Sequence, residues 1–212
     1  MVMNHLSNVQ RDVLKEIGNI GAGNAATAMA QLIDKKIEMA VPVVNIAAFD
    51  EVMDIVGGPE TPAAAVLITI DGDVTGKVYF ILPIEEAEFI VEQVTGDDNF
   101  KLLDNGSAQS MGLSALQEVG NILTGSYLSA LSDFTGLNMH PSVPHLGVDM
   151  AGAILASGLI DLSQWSDYAI IIDTQIRDKS GINSVQGHFL LLPDPISFNK
   201  IFNALGVNDD DE

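Results

Sequence analysis

Asp12-Val13-Leu14-Lys15-Glu16-Ile17-Gly18-Asn19 and Ser114-Ala115-Leu116-Gln117-Glu118-Val119-Gly120-Asn121 are two copies of one phrase. Each places a short polar residue, a glutamate and an asparagine at relative positions zero, four and seven. A proline follows both, Pro42 and Pro144, each after 22 intervening residues. Asp12 to Ser114, Glu16 to Glu118, Asn19 to Asn121 and Pro42 to Pro144 are all separated by 102 positions. Four markers that keep one offset identify an internal repeat. At about 100° per residue, positions i, i+4 and i+7 share one stripe of a helix, so Asp12, Glu16 and Asn19 project together. Val9, Val13, Ile17 and Ile20 form the neighbouring apolar stripe, which the periodicity predicts to be the buried face. The second helix repeats this with Leu113, Leu116, Val119 and Leu123 beside an outward Ser114, Glu118 and Asn121.

Working outward from the repeat, 212 residues with 47% hydrophobic content supply enough apolar material for a substantial core. The repeat makes residues 1–212 one pseudo-symmetric domain, with halves at about 4–96 and 107–206. The acidic end, 207–212, is expected to be a disordered tail. The sequence contains no cysteine, which removes a disulfide framework and a thiol nucleophile, and a cytoplasmic location is the expectation. Met1 to His5 lack a signal-peptide pattern, and no apolar run reaches about 18 residues, so no membrane insertion is expected. A net charge of −20 repels the phosphate backbone of nucleic acid and anionic lipid surfaces, so neither is expected as a partner.

The local signals alternate helices with hairpins. Ser7 and Gln10 have the spacing of a capping box at the start of the first helix. Gly18, Gly21 and Gly23 cost about 1 kcal/mol each in a helix interior, which predicts a bend or break near Gly21 to Gly23. Ile37 to Ile46 reads as a short extended run in which Pro42 fits an edge or a strand start. Ala48 to Val56 reads as a short helix. Ala63 to Ile70 and Thr75 to Leu82 form a predicted hairpin around Asp71-Gly72-Asp73, followed by a helix from Pro83 to Gly96. The second half replays this order, with Tyr168 to Ile176 and Val185 to Leu192 as its hairpin and a final helix between Pro193 and Gly206. The fold class is therefore α+β, a mixed architecture with a pseudo-twofold internal repeat. Antiparallel strands from both halves share one sheet, with two long exposed marker helices and further helices flanking it.

The chemistry on offer is a carboxylate and a primary amide about one turn apart. An amide donates and accepts but does not titrate near neutral pH, so it suits holding a water in line with an electrophile. Such positioning is worth several kcal/mol of barrier and is used in phosphoryl hydrolysis. The glutamate suits an ion pair with a lysine brought by a partner. The glycine-rich Gly18 to Asn24 has no preceding strand and no following Gly-Lys-Ser/Thr, so helix packing explains it better than a phosphate loop. His140 and His145 lack zinc-ligand spacing, and no metal site is expected.

The doubled signature Asp/Ser-x3-Glu-x2-Asn-x22-Pro resembles that of the chemotaxis phosphatase family that includes CheC, CheX and FliY, and the resemblance spans nearly the whole chain. A double signature in a domain of about 200 residues is most like the CheC type. With the chain ending at Glu212, a version carrying a further flagellar-switch domain is disfavoured. The resemblance implies an enzyme, a protein aspartyl-phosphate phosphatase acting on phosphorylated CheY. Glu16 and Glu118 would dock the regulator through its lysine, and Asn19 and Asn121 would orient the attacking water. Asp12, Ser114, Pro42 and Pro144 would support the motif. The resemblance implies no cofactor of the chain's own, the Mg2+ being carried by CheY. It also implies binding to the deamidase CheD, for which Val148, Asp149, Ala153 and Leu155 in the small-residue segment are candidates. Those residues serve equally well as core. Two other readings stay open, a non-catalytic adaptor that binds CheY-phosphate or CheD, and a hydrolase of small phosphorylated molecules.

Overall fold

The computed structural model describes residues 7–41, 43–103, 109–156, 168–178 and 184–206. The first half runs α1 (Asn8–Ile33), β1 (Ile37–Ala40), β2 (Val44–Ala48), α2 (Phe49–Ile55), β3 (Pro62–Gly72), β4 (Gly76–Pro83) and α3 (Ile84–Thr95). The second half repeats that order. It runs α4 (Gln109–Thr135), β5 (Met139–Pro141), β6 (His145–Met150), α5 (residues 151–156), β7 (Tyr168–Asp178), β8 (Ser184–Pro193) and α6 (Pro195–Ala204). The expected acidic tail and most of the loop of the second hairpin lie outside the described residues.

Every described strand joins one antiparallel sheet of order β1-β7-β8-β4-β3-β5, with β2 also on β7 and β6 also on β3. The two hairpins meet at the centre, where β4 pairs β8 and Phe80 stands opposite Phe189. Each broken edge strand belongs to the other half's hairpin. β1 and β2 line β7, while β5 and β6 line β3. The halves are thus interleaved in one sheet.

Strand residues alternate between two apolar layers, as the pleat requires. Ala64, Phe80, Leu82, Ile170, Ile172 and Phe189 meet α1, α3, α4 and α6 on one face. Ala65, Tyr79, Ile81, Ile171 and Leu190 meet Val52 of α2 and Leu155 of α5 on the other. Burial on both faces explains why the hairpin strands read as near-continuous apolar runs.

α1 begins as predicted, Ser7 Oγ accepting from Gln10 N at 3.2 Å while Gln10 Oε1 accepts from Ser7 N at 2.9 Å. Two expectations for this helix are corrected. It continues through Gly21 to Gly23 without a break, because a glycine is required there by the neighbouring helix. A Cβ on Gly21 would lie 2.7 Å from Tyr127 Cδ1 and 3.0 Å from Tyr127 Cα. The buried face is also rotated from the one predicted. Leu14, Ile17, Gly18, Gly21, Ala22, Ala25 and Met29 are inside, whereas Val9 and Ile20 are exposed. The small residues let α4 and the sheet approach together, and that double contact sets the face. Tyr127 closes this seam, its ring centroid 4.7 Å from that of Phe189 and its hydroxyl 2.8 Å from Thr174 Oγ1. Burial pushes its phenol up to about 12, against the opposing pull of the Thr174 bond.

Candidate functional site

The stripe of the first helix is outward as expected, with Asp12, Glu16 and Asn19 all exposed. In the second helix Ser114 and Glu118 are exposed and Asn121 is half-buried. Glu16 and Glu118 make no hydrogen bond or ion pair with the described residues. A carboxylate without an internal partner, solvated and aimed outward, is available to a cation that arrives on another molecule.

Each asparagine follows a glycine that presses its helix onto the sheet side. A Cβ on Gly18 would lie 3.3 Å from Val41 Cγ2, and one on Gly120 only 2.4 Å from Val66 Cγ2. The asparagine is therefore displayed from a turn fixed by close packing at the residue before it. The sequence pattern pointed to packing for Gly18 only in general terms and gave no role to Gly120. The Gly-Asn pair at the same offset in both copies was the signal for their position.

The two asparagines are held differently. Val41 N donates to Asn19 Oδ1 at 3.1 Å. Because a backbone N–H can only donate, this bond fixes which end of the amide is the oxygen and leaves Nδ2 facing away. Asn121 has no such bond to the described residues. There the strand segment is tied by Gln117, whose Nε2 donates to Pro144 O at 2.8 Å. Ser142 adds a second tie, its N donating to Thr69 O at 2.9 Å and its Oγ accepting from Thr69 N at 3.0 Å. Gln117 was part of the repeated phrase, but its tethering role was not visible in one dimension. Pro144 directly precedes β6, at the sheet edge. Pro42 lies outside the described residues, between β1 and β2.

Of the residues expected at a second docking surface, Asp149 and Ala153 are exposed and Val148 is half-buried against the main core. Leu155 is fully buried in the second apolar layer, so it supports α5 from beneath. A shallow apolar cleft lined by Met29, Ile33, Phe89 and Ile176 sits at the other end of α1 and contains none of the motif residues. Among the described residues no group of three His, Asp or Glu side chains is placed to hold a metal ion. No described helix is long and apolar enough to cross a membrane.

This geometry can be set beside known proteins. The model of the CheC-like family matches residues 9–46 and 111–148, two windows with the same 102-residue offset as the motif. The chain is 44% identical over 207 residues to the CheY-P phosphatase CheC of Bacillus subtilis (strain 168), covering 98% of this chain and 99% of that protein. The chain belongs to the CheC-like family. Another CheC-like relative is the flagellar motor switch phosphatase FliY of the same bacterium, 28% identical over 144 residues, 66% of this chain and 36% of that longer protein. The structure of Thermotoga maritima FliY superposes with a TM-score of 0.76 at 18% identity, covering 95% of this chain and 98% of that one. At that identity the likeness concerns the CheC-like fold.

Proposed function

We propose that this CheC-like protein is a phosphatase of the aspartyl phosphate of CheY, working through two sites, one on α1 and one on α4. The observation that carries the reading is the repeated pair of an unpartnered outward glutamate and a neighbouring asparagine, in a chain 44% identical to a CheY-P phosphatase. Glu16 and Glu118 pair with a lysine of the regulator. Asn19 and Asn121 enter beside the phosphoryl group. An amide N–H that donates to one lone pair of a water leaves the other lone pair to face phosphorus. Water then displaces the aspartyl carboxylate, the P–O bond to the regulator breaks, and inorganic phosphate leaves. The chain needs no cofactor of its own, and Mg2+ belongs to the phosphorylated substrate. A site of this kind is incomplete without its partner, which is why the motif sits on a convex helix and not in a cleft.

CheD binding belongs to the same proposal and falls on the exposed Asp149 and Ala153, with the exposed Met150 between them. The test of the catalytic reading is the decay of phosphorylated CheY with wild type and with Asn19→Ala, Asn121→Ala combined. Loss of acceleration with CheY binding retained is the expected outcome. A double variant as active as wild type would leave a non-catalytic adaptor as the better description.

A further inference from the structure

We propose that Val9 with Val43, and Met111 with Val143, form an apolar clamp at each site that grips the receiver domain on either side of the lysine bound by Glu16 or Glu118. This rests on the reading of those two sites as docking places for phosphorylated CheY. The observation is one of exposure. Val9 is 56% exposed and Met111, its counterpart 102 positions on, is 60% exposed. Val43 and Val143, each beside its motif proline, are 41% and 83% exposed. With Ile20, these make five of the eleven large apolar residues exposed among the described residues, so the two corners hold a disproportionate share.

Their placement fits a clamp. Val9 precedes Glu16 by seven residues, so the two lie within about 20° on α1 and two turns apart, and Met111 stands to Glu118 in the same way. Val43 and Val143 belong to the segments that the Asn19–Val41 and Gln117–Pro144 bonds hold against the same helices. Each glutamate thus has a bare hydrocarbon on its own helix, and a second on the tethered strand segment. The repeat adds weight at the helix position, where Val9 and Met111 differ in identity but share apolar character and exposure; the strand positions are not counterparts, since Val43 corresponds to His145 and Val143 to the buried Val41.

The occupant follows from charge. A chain with a net charge of −20 gains nothing from long-range attraction to an acidic partner, and its few exposed carboxylate–lysine pairs are screened by salt. Apolar contact is indifferent to both. The matching surface is a receiver face with apolar side chains flanking its active-site lysine.

The test uses Val9→Ser with Val43→Ser, Met111→Ser with Val143→Ser, and all four together. Binding to CheY loaded with beryllofluoride, a stable mimic of the aspartyl phosphate, is titrated by calorimetry, and KM and kcat are measured on phosphorylated CheY. The fourfold variant should weaken Kd and raise KM by about tenfold or more, as truncation of central apolar contacts does, with the loss falling on KM and not on kcat. Phe134→Ser, an exposed apolar change at the far end of α4, should leave Kd unmoved. A fourfold variant within twofold of wild type in Kd, an equal effect from Phe134→Ser, or no binding of CheY by wild type overturns the clamp. Binding without turnover by wild type removes the phosphatase reading instead, and the Kd comparison still decides the clamp.

Discussion

The corner of α1 and the corner of α4 share the motif glutamate, asparagine and proline but divide the structural work differently. In the first half the motif asparagine ties the helix to the strand, through Asn19 Oδ1 and Val41 N, and Val41 is buried at 2% exposure. In the second half Gln117 makes the tie to the helix, Ser142 holds the same segment to Thr69 of β3, and the equivalent Val143 stands out in solvent. Lys15, which occupies the place of Gln117 in the first copy, is exposed. The comparison teaches that a repeated signature preserves where a chemical group is displayed, while the bonds that support the display drift. Asn121 is relieved of a duty that Asn19 still carries.

The strongest way to break this comparison is at the glycines. Gly120→Ala should cost about 1–3 kcal/mol, since its Cβ would fall 2.4 Å from Val66 Cγ2 in a packed core. Gly18→Ala meets Val41 Cγ2 at 3.3 Å, and the gain of about 1 kcal/mol in helix propensity should offset most of the cost. Urea unfolding midpoints would show the gap, and equal losses would mean that the two helices seat alike.

The asparagines come next. Asn19→Ala leaves the Val41 N–H without its acceptor in a buried position, so a loss of about 1–2 kcal/mol is expected. Asn121→Ala should stay within about 0.5 kcal/mol of wild type, whereas Gln117→Ala should lose about 1 kcal/mol with the Pro144 bond. Thermal denaturation of the three variants sharpens or erases the asymmetry.

The smallest effect lies in the closing helices. α3 opens at Pro83 without a side-chain cap, but Asp194 caps α6, its Oδ1 accepting from Ser197 N at 2.7 Å. Burial pushes the Asp194 carboxyl up. The hydrogen bonds from Thr75 and Ser197 outweigh it, so its pKa lies below the ordinary 3.8. A depressed carboxylate stabilises above its unfolded value and loses that contribution as pH falls through the folded one. Asp194→Ala should therefore cost about 1 kcal/mol at pH 7. The difference from wild type should shrink once the pH is taken below 3.8. A gap that is constant with pH would assign the effect to packing.

Much of this was legible in one dimension. The order of elements followed from period and punctuation, with Pro83 and Gly96 bracketing α3 and a capping box opening α1. The twofold followed from the 102-residue offset. The exchange of edge strands was not legible, because β1 and β5 carry no mark of which hairpin they join. The buried face of α1 was misread for a related reason. Periodicity weights large apolar residues, yet at this seam the close approach is made by Gly18, Gly21, Ala22 and Ala25, and Val9 and Ile20 are left outside. The outward Glu16, Asn19 and Glu118 were readable from spacing, whereas Asn121 is half-buried, and whether each asparagine has a bonding partner depends on atoms 22 residues away.

The most direct test of two working sites is the rate of CheY-phosphate decay with Asn19→Ala alone, Asn121→Ala alone and both together, at matched concentrations of folded protein. Each single variant should keep part of the wild-type acceleration, and the double variant should keep none. A single variant as inactive as the double would contradict the account, because one copy of the phrase would then be serving structure only.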